Sequence, residues 1–277
     1  MNTASDTLNT VLDIYAGHLR QTRAAKRGMI SLKHLRALGS LRINQVASHV
    51  PAYIQKRGMT PGTINRELGV LQAALRYAFK LGMIGFLPSI QKLPSPPPRA
   101  DFLNEEQVAI LLSETRNYPE LDTFVRIALM TGQRKEAILK LRWEQVDFKS
   151  NLIDFNDRTD PLFHRMKGRG VVPMSSALRG LLSGLARIAG GSPWVIHRDG
   201  KPVRSIDTSW KRVMKATKLK ITPHVLRHTV ATQLAQKNVP MTQIARILGH
   251  SNTQITERVY AKFSPSFCKE AVEHLAV

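Results

Sequence analysis

Four separated fragments of the chain carry side chains suited to work on a phosphate. In Thr131-Gly132-Gln133-Arg134-Lys135-Glu136 one helical pattern ends, the chain turns, and Arg134 stands at the start of the next apolar-periodic segment, Ala137 to Leu141. A guanidinium placed there is held rigidly. Lys167 opens the run Lys167-Gly168-Arg169-Gly170, whose glycines suit a hairpin turn. His224 and Arg227 stand at i and i+3 and share one helical face, which pairs a base with a phosphate clamp. Leu248-Gly249-His250 stops a helix at its glycine, and Tyr260, ten residues beyond His250, lies near the end of another helix that a movable element can carry. His224 and His228 also have the i, i+4 spacing of zinc ligands. The residues between them lack the glutamate of H-E-x-x-H and no third ligand is evident, so no metal is expected.

The elements that must position these residues read as two domains. Leu87 to Asp101 holds Pro88, Pro94, Pro96, Pro97 and Pro98, a stretch that sustains neither helix nor central strand, so residues 88–101 are taken as a linker. Residues 1–87 show only helical periodicity, in Leu8 to Leu19, Ser31 to Leu38 and Ile64 to Met83, with Gly28 and Gly39 as separators. In the last of these Ile64, Leu68, Leu71, Leu75 and Ala78 form an apolar face opposite Arg66, Arg76 and Lys80. Residues 102–277 open with the Asn104/Gln107 capping pattern and an apolar helix at Leu121 to Met130. Short strands are predicted at Asn151 to Phe155 and at Val171-Val172. Helices follow at Ser176 to Ile188, Asp207 to Thr217, Pro223 to Gln236, Thr242 to Leu248 and Thr253 to Val259. The expected fold is mainly α with one small β-sheet.

Composition narrows the partner. The 277 residues are 43% hydrophobic with no apolar run near the ~18 needed for a spanning helix, and at ~150 residues per domain they make about two domains. No leader pattern stands in Met1 to Arg20, and the single cysteine, Cys268, excludes an internal disulfide or a thiolate metal cluster. Both features fit a cytoplasmic protein, and a DNA partner would make it nucleoid-associated. A formal charge of +21 favours a polyanion, with nucleic acid the leading candidate. The excess is spread over both parts: residues 1–100 hold 14 basic and 3 acidic side chains, residues 101–277 hold 27 and 17.

In this order, Arg134, Lys167, His224-x-x-Arg227, His250 and Tyr260 resemble the tyrosine recombinase (phage integrase) family, together with the boxes Thr131-Gly132-x-Arg134, His224-x-Leu226-Arg227-His228 and Leu248-Gly249-His250-Ser251. Thr63-Ile64-Asn65-Arg66 through Ile84 is similar to the last long helix of that family's core-binding domain. The resemblance implies a helical, SAM-like core-binding domain and an α+β catalytic domain that close on duplex DNA as a C-shaped clamp. It also implies action at paired core recombination sites as a homodimer to homotetramer, with accessory DNA-bending proteins in some systems and no membrane partner. With so little chain before Thr7, simple core sites are expected rather than arm-bearing ones. A short apolar tail through Phe267, Val272 and Leu275 is expected to dock on a neighbouring protomer.

What the resemblance implies for the residues is chemically coherent. Tyr260 attacks the scissile phosphorus, leaving a 3′-phosphotyrosyl bond and a free 5′-hydroxyl, so the bond energy is stored covalently without ATP, metal or other cofactor. His224 takes the phenol proton, because a phenol of pKa ~10 is a poor nucleophile at neutral pH. Arg134 and Arg227 bind the non-bridging oxygens, Lys167 protonates the departing 5′-oxygen and His250 donates a hydrogen bond to the phosphate. Glu136 is expected to brace the arginines, His228 to be a packed, hydrogen-bonded histidine, and Trp143, Trp194 and Trp210 to serve packing. Two other readings share these features. A catalytically silent DNA-binding regulator would have no reason to keep all six residue types, and a type IB topoisomerase would relax DNA as a monomer with little sequence choice.

Overall fold

The computed structural model describes residues 7–22, 25–94, 101–156, 170–250 and 252–263. The chain divides into two compact units, residues 1–97 and 98–277. Lys167, Cys268 and the tail residues Phe267, Val272 and Leu275 lie outside the described residues, as do Ser251 and Pro96 to Pro98.

The first unit is helical among its described residues: α1 (Leu8–Arg20), α2 (Ala25–Leu35), α3 (Ile43–Arg57) and α4 (Pro61–Lys80). Leu8, Leu12, Leu35, Val46, Ile64, Leu68, Leu71 and Leu75 are fully buried and form one core. Pro61 occupies the first turn of α4, where its missing N–H costs nothing. Two expectations are corrected here. Gly28 does not separate helices but lies inside α2, where a Cβ would stand 2.4 Å from Leu19 Cδ2; it lets α2 approach α1. The segment from Pro88 to Leu93, read as linker, is fastened to the first unit: Ile90 is buried, Gln72 Nε2 donates to the Ile90 carbonyl, and Asn65 bonds both backbone groups of Leu93. α3 was not foreseen. Its apolar positions Ile43, Val46, Val50 and Tyr53 are helically spaced, but Pro51 interrupts the sequence signal.

The second unit opens with α5 (Glu105–Thr115), whose Asn104 and Gln107 exchange the two hydrogen bonds of a capping box. α6 (Pro119–Thr131) and the short α7 (Lys135–Leu139) follow. Then comes an antiparallel three-stranded sheet, β1 (Val146–Asp147), β2 (Leu152–Asp154) and β3 (Val171–Pro173), in sequential order. Ile153 pairs with Val146 on one side and Val172 on the other. After α8 (Ser176–Arg187) a second antiparallel pair, β4 (His197–Arg198) and β5 (Lys201–Pro202), adds a sheet the sequence did not suggest, because two-residue strands carry no readable alternation. α9 (Asp207–Thr217), α10 (Pro223–Gln236), α11 (Met241–Leu248) and α12 (Thr253–Tyr260) complete the unit.

α10 is the central element. Its residues Val225, Leu226, Arg227, Thr229, Val230, Ala231, Thr232 and Ala235 are buried on every side, so it carries no amphipathic stripe. Val225 and Leu226 belong to the main core with Phe124, Phe155 and Leu178. Ala231 and Ala235 belong instead to a small satellite cluster with Ile244, Leu248 and Tyr260. Of the tryptophans, Trp210 is buried and its Nε1 donates to the Ile221 carbonyl, while Trp194 lies beneath the Arg142 guanidinium. No helix among the described residues is long and apolar enough to cross a membrane.

Candidate active site

The site begins at the end of α6. Gly132 takes a left-handed conformation (φ +63°) as the C-cap, and Arg134 follows as the N-cap residue of α7. The reversal suits glycine: a Cβ would lie 2.8 Å from Leu248 Cδ2 and 3.2 Å from Val230 Cγ1. The Gly132 carbonyl, which the helix end leaves without an intrahelical donor, accepts from Arg227 Nη1 at 3.0 Å. One turn thus sets the backbone position of Arg134 and holds the Arg227 guanidinium.

Arg227 is 3% exposed, and its Nη2 has no hydrogen-bond partner among the described residues. Burial first, and then the charge of Arg134, pull its pKa down to about 10. A buried, partly unbonded guanidinium beside a second arginine is costly unless an anion joins it.

His224 stands in the first turn of α10, with its ring edge-to-face on His228 at 4.8 Å between centroids. Although the residue is exposed overall, partial desolvation of the ring, then His228, Arg227 and Arg134, lower its pKa to about 4. His250 follows the Gly249 cap of α11, and its Nδ1 is 2.8 Å from Thr256 Oγ1. Burial, then Arg227, Arg134, His224 and His228, lower it to about 4 as well. Tyr260 ends α12, is 3% exposed, and its hydroxyl is 2.5 Å from His228 Nδ1. Burial raises the phenol pKa to about 12 against the lowering pull of Arg227.

Five of the six residues singled out in the sequence, Arg134, His224, Arg227, His250 and Tyr260, therefore share one electrostatic cluster; Lys167 lies outside the described residues. Tyr260 is bonded to His228, the histidine expected to be packed and hydrogen-bonded, and not to His224. One feature differs from expectation. Glu136 is exposed, lines a cleft of about 470 Å³ with Trp194 and Ser205, and makes none of the ion pairs found among the described residues, so it does not brace the arginines. Gln133, passed over in the sequence, is 2% exposed and hydrogen-bonds to Ile247 and Gly170. Its only sequence signal was its place between Gly132 and Arg134.

The chain thus joins a helical first unit to an α+β second unit that carries this ordered cluster of arginines, histidines and a tyrosine. The phage integrase family model matches residues 101–266, and the chain belongs to that family, the tyrosine-type site-specific recombinases. Among similar proteins, tyrosine recombinase XerA of Thermococcus onnurineus is 28% identical over 227 residues, 76% of each chain. Prophage integrase IntF of Escherichia coli K12 is 28% identical over 171 residues, 58% of this chain, which spans 35% of IntF. Among solved structures, a fragment of the Tn1549 transposon integrase in complex with transposon right end DNA superposes with a TM-score of 0.80 at 21% identity, covering 98% of this chain and all of that one. A lambda integrase fragment, solved as a dimer bound to a core site, gives 0.70 at 19% identity, covering 90% of this chain and 97% of that one.

Proposed function

We propose that the protein is a recombinase that cuts and rejoins duplex DNA at paired sites through a covalent bond between Tyr260 and the 3′-phosphate. The observation that carries this reading is the buried Arg227, with one guanidinium nitrogen unbonded, set among Arg134, His224, His250 and Tyr260. A scissile phosphate supplies the missing anion. Its charge offsets the two arginines and raises the depressed pKa of His224 towards its ordinary value, which improves it as a proton acceptor.

The Tyr260 oxygen bonds to phosphorus while its proton passes to His224; the bond to the 5′-oxygen breaks, and that oxygen takes a proton from Lys167. Arg134 and Arg227 hold the two non-bridging oxygens, where charge accumulates, and His250 donates to the phosphate from the ring nitrogen that does not face Thr256. A 5′-hydroxyl from a second strand then reverses the step, frees Tyr260 and completes the exchange. Two or four protomers on DNA are required to present two strands at once. The basic excess in both units supports duplex contact by each of them, and the affinity is expected to fall steeply with salt.

The test is covalent capture. Wild type and Tyr260→Phe are incubated with nicked duplexes of randomised sequence in the presence of chelator, denatured, and the attached DNA is sequenced. Retention by wild type alone at a recurring sequence supports the reading and reports the site. If both proteins bind the pool and neither retains DNA, the regulator reading replaces it. Attachment without sequence preference, with plasmid relaxation by monomer, supports a topoisomerase.

A further inference from the structure

Gln133 joins three segments of the second unit through one side chain. Its Nε2 donates to the Ile247 carbonyl in the last turn of α11, and its Oε1 accepts from the Gly170 N–H at 3.5 Å. At the end of α11 the Arg246 and Ala245 carbonyls are satisfied by the Gly249 and His250 N–H groups, so Gln133 serves the carbonyl between that turn and the cap. Gly170 leads into β3, and its own carbonyl accepts from the Phe155 N–H at 3.2 Å. The backbones here are very close. A Cβ on Gly170 would lie 2.5 Å from the Ile247 carbonyl oxygen and 3.2 Å from that of Arg246. A primary amide is the side-chain group that donates to one backbone and accepts from the other within this space.

The junction's place in the chain gives it meaning. Arg134 is the next residue after Gln133, His250 lies three residues beyond Ile247, and Lys167 lies three residues before Gly170. Three residues of chain reach at most about 10 Å, so the anchorage of Gly170 bounds where Lys167 can work. We propose that Gln133 is a positioning residue that locks the Gly170 end of the lysine-bearing segment to α11, and thereby sets the proton donor against the departing 5′-oxygen. The proposal rests on the reading of Lys167 as general acid given above.

The test uses two forms of the DNA site found by capture: the natural one, and one in which sulfur replaces the bridging 5′-oxygen of the scissile phosphate. A thiol has a pKa of ~8.5 and leaves as thiolate without needing a proton. Single-turnover cleavage by the full chain is compared for wild type, Gln133→Met, Gln133→Glu, Gly170→Ala and Lys167→Ala. Glutamate at 133 keeps the acceptor for Gly170 and loses the donor to Ile247. Gln133→Met and Gly170→Ala are expected to slow natural DNA by about 10- to 100-fold, the usual range for a supporting partner, and the sulfur substrate by less than about 3-fold. Lys167→Ala is expected to show the same selectivity with a larger loss.

Rescue of Lys167→Ala by sulfur, with equal slowing of both substrates by the Gln133 and Gly170 variants, overturns the positioning role and leaves the lysine reading intact. Failure of sulfur to rescue Lys167→Ala overturns the lysine reading and the proposal with it. Because each variant is judged on the ratio between its two substrates, partial loss of folded protein lowers both rates alike and does not imitate the expected result.

Discussion

The hydroxyl of Tyr260 is hydrogen-bonded to His228 Nδ1, one helical turn along α10 from His224, with 2.5 Å between the two atoms. The proposed nucleophile is thus docked in the satellite cluster of α10, α11 and α12, which is smaller than the main core, with its hydroxyl on His228. Such a cluster opens at lower cost than the main core does. In the proposed reaction the phenol would exchange His228 for His224 to reach a phosphate held by Arg227. A double-mutant cycle of His228→Leu and Tyr260→Phe, read by denaturant unfolding without DNA, is expected to give a coupling of about 1 kcal/mol. Additive single losses would show that the phenol does not rest on His228 in solution.

Acid is expected to weaken the fold in a defined window. The folded pKa values of His224 and His250 lie at about 4 against 6.5 unfolded, and that of His228 is also lowered, in each case chiefly by desolvation, which is only partial for the exposed His224. Between those limits the unfolded chain binds more protons than the folded one, so stability rises with pH. This contribution is fully present above pH 6.5 and is lost as pH falls towards 4. Thermal unfolding from pH 7 to pH 5 should show a falling Tm, with a smaller slope in His224→Asn/His250→Asn. A Tm that stays flat across the window contradicts the depressed values.

Gly132→Ala is expected to cost more than an ordinary left-handed glycine replacement. The backbone conformation alone costs about 1–2 kcal/mol, and the added methyl meets Leu248 and Val230. Gly58→Ala is the control, with φ +55° and nothing within 4 Å of the new atom. Because the Gly132 carbonyl holds Arg227, cleavage should fall further for Gly132→Ala than for variants of matched stability outside the site. Equal Tm losses in the two alanine variants would remove the packing argument.

In the first unit, Glu67 is 3% exposed and accepts from Arg57 Nη2 at 2.6 Å, Arg57 Nε at 3.1 Å and Tyr53 Oη at 2.6 Å. The Asp13–Arg36 pair is exposed on both sides. Glu67→Gln should lower the Tm by at least about 4 °C, while Asp13→Asn should leave it nearly unchanged. A comparable drop for both would place the first unit's polar energetics on its surface.

The helices of the described residues were legible wherever apolar residues recur on one face, as in α1 and α4, or where a terminus is chemically marked, as by Asn104 and Gln107 at α5. Legibility failed where one residue carried two meanings. Pro51 hid α3, although its neighbours keep the helical period. Gly28 looked like a break and is a contact. The prolines after Leu87 look like free linker, yet Asn65 and Gln72 bind the backbone of that segment, and a side chain's reach across the fold is not encoded in local periodicity.

The sequence by itself determined the residue types of the site, their order, the helices that bear most of them and the basic charge that suits DNA, because these depend on local spacing and composition. Tertiary structure alone decided that one turn at Gly132 sets the backbone of Arg134 and holds the Arg227 guanidinium, that Tyr260 rests on His228, that Glu136 faces outwards and that Gln133 knits β3 to α11. The bonds of Arg227 and Gln133 are set by which backbone carbonyls remain unbonded when distant helices pack, and that of Tyr260 by the side chains this packing brings together. That packing brings together residues 32 to 114 positions apart, which no local pattern can specify.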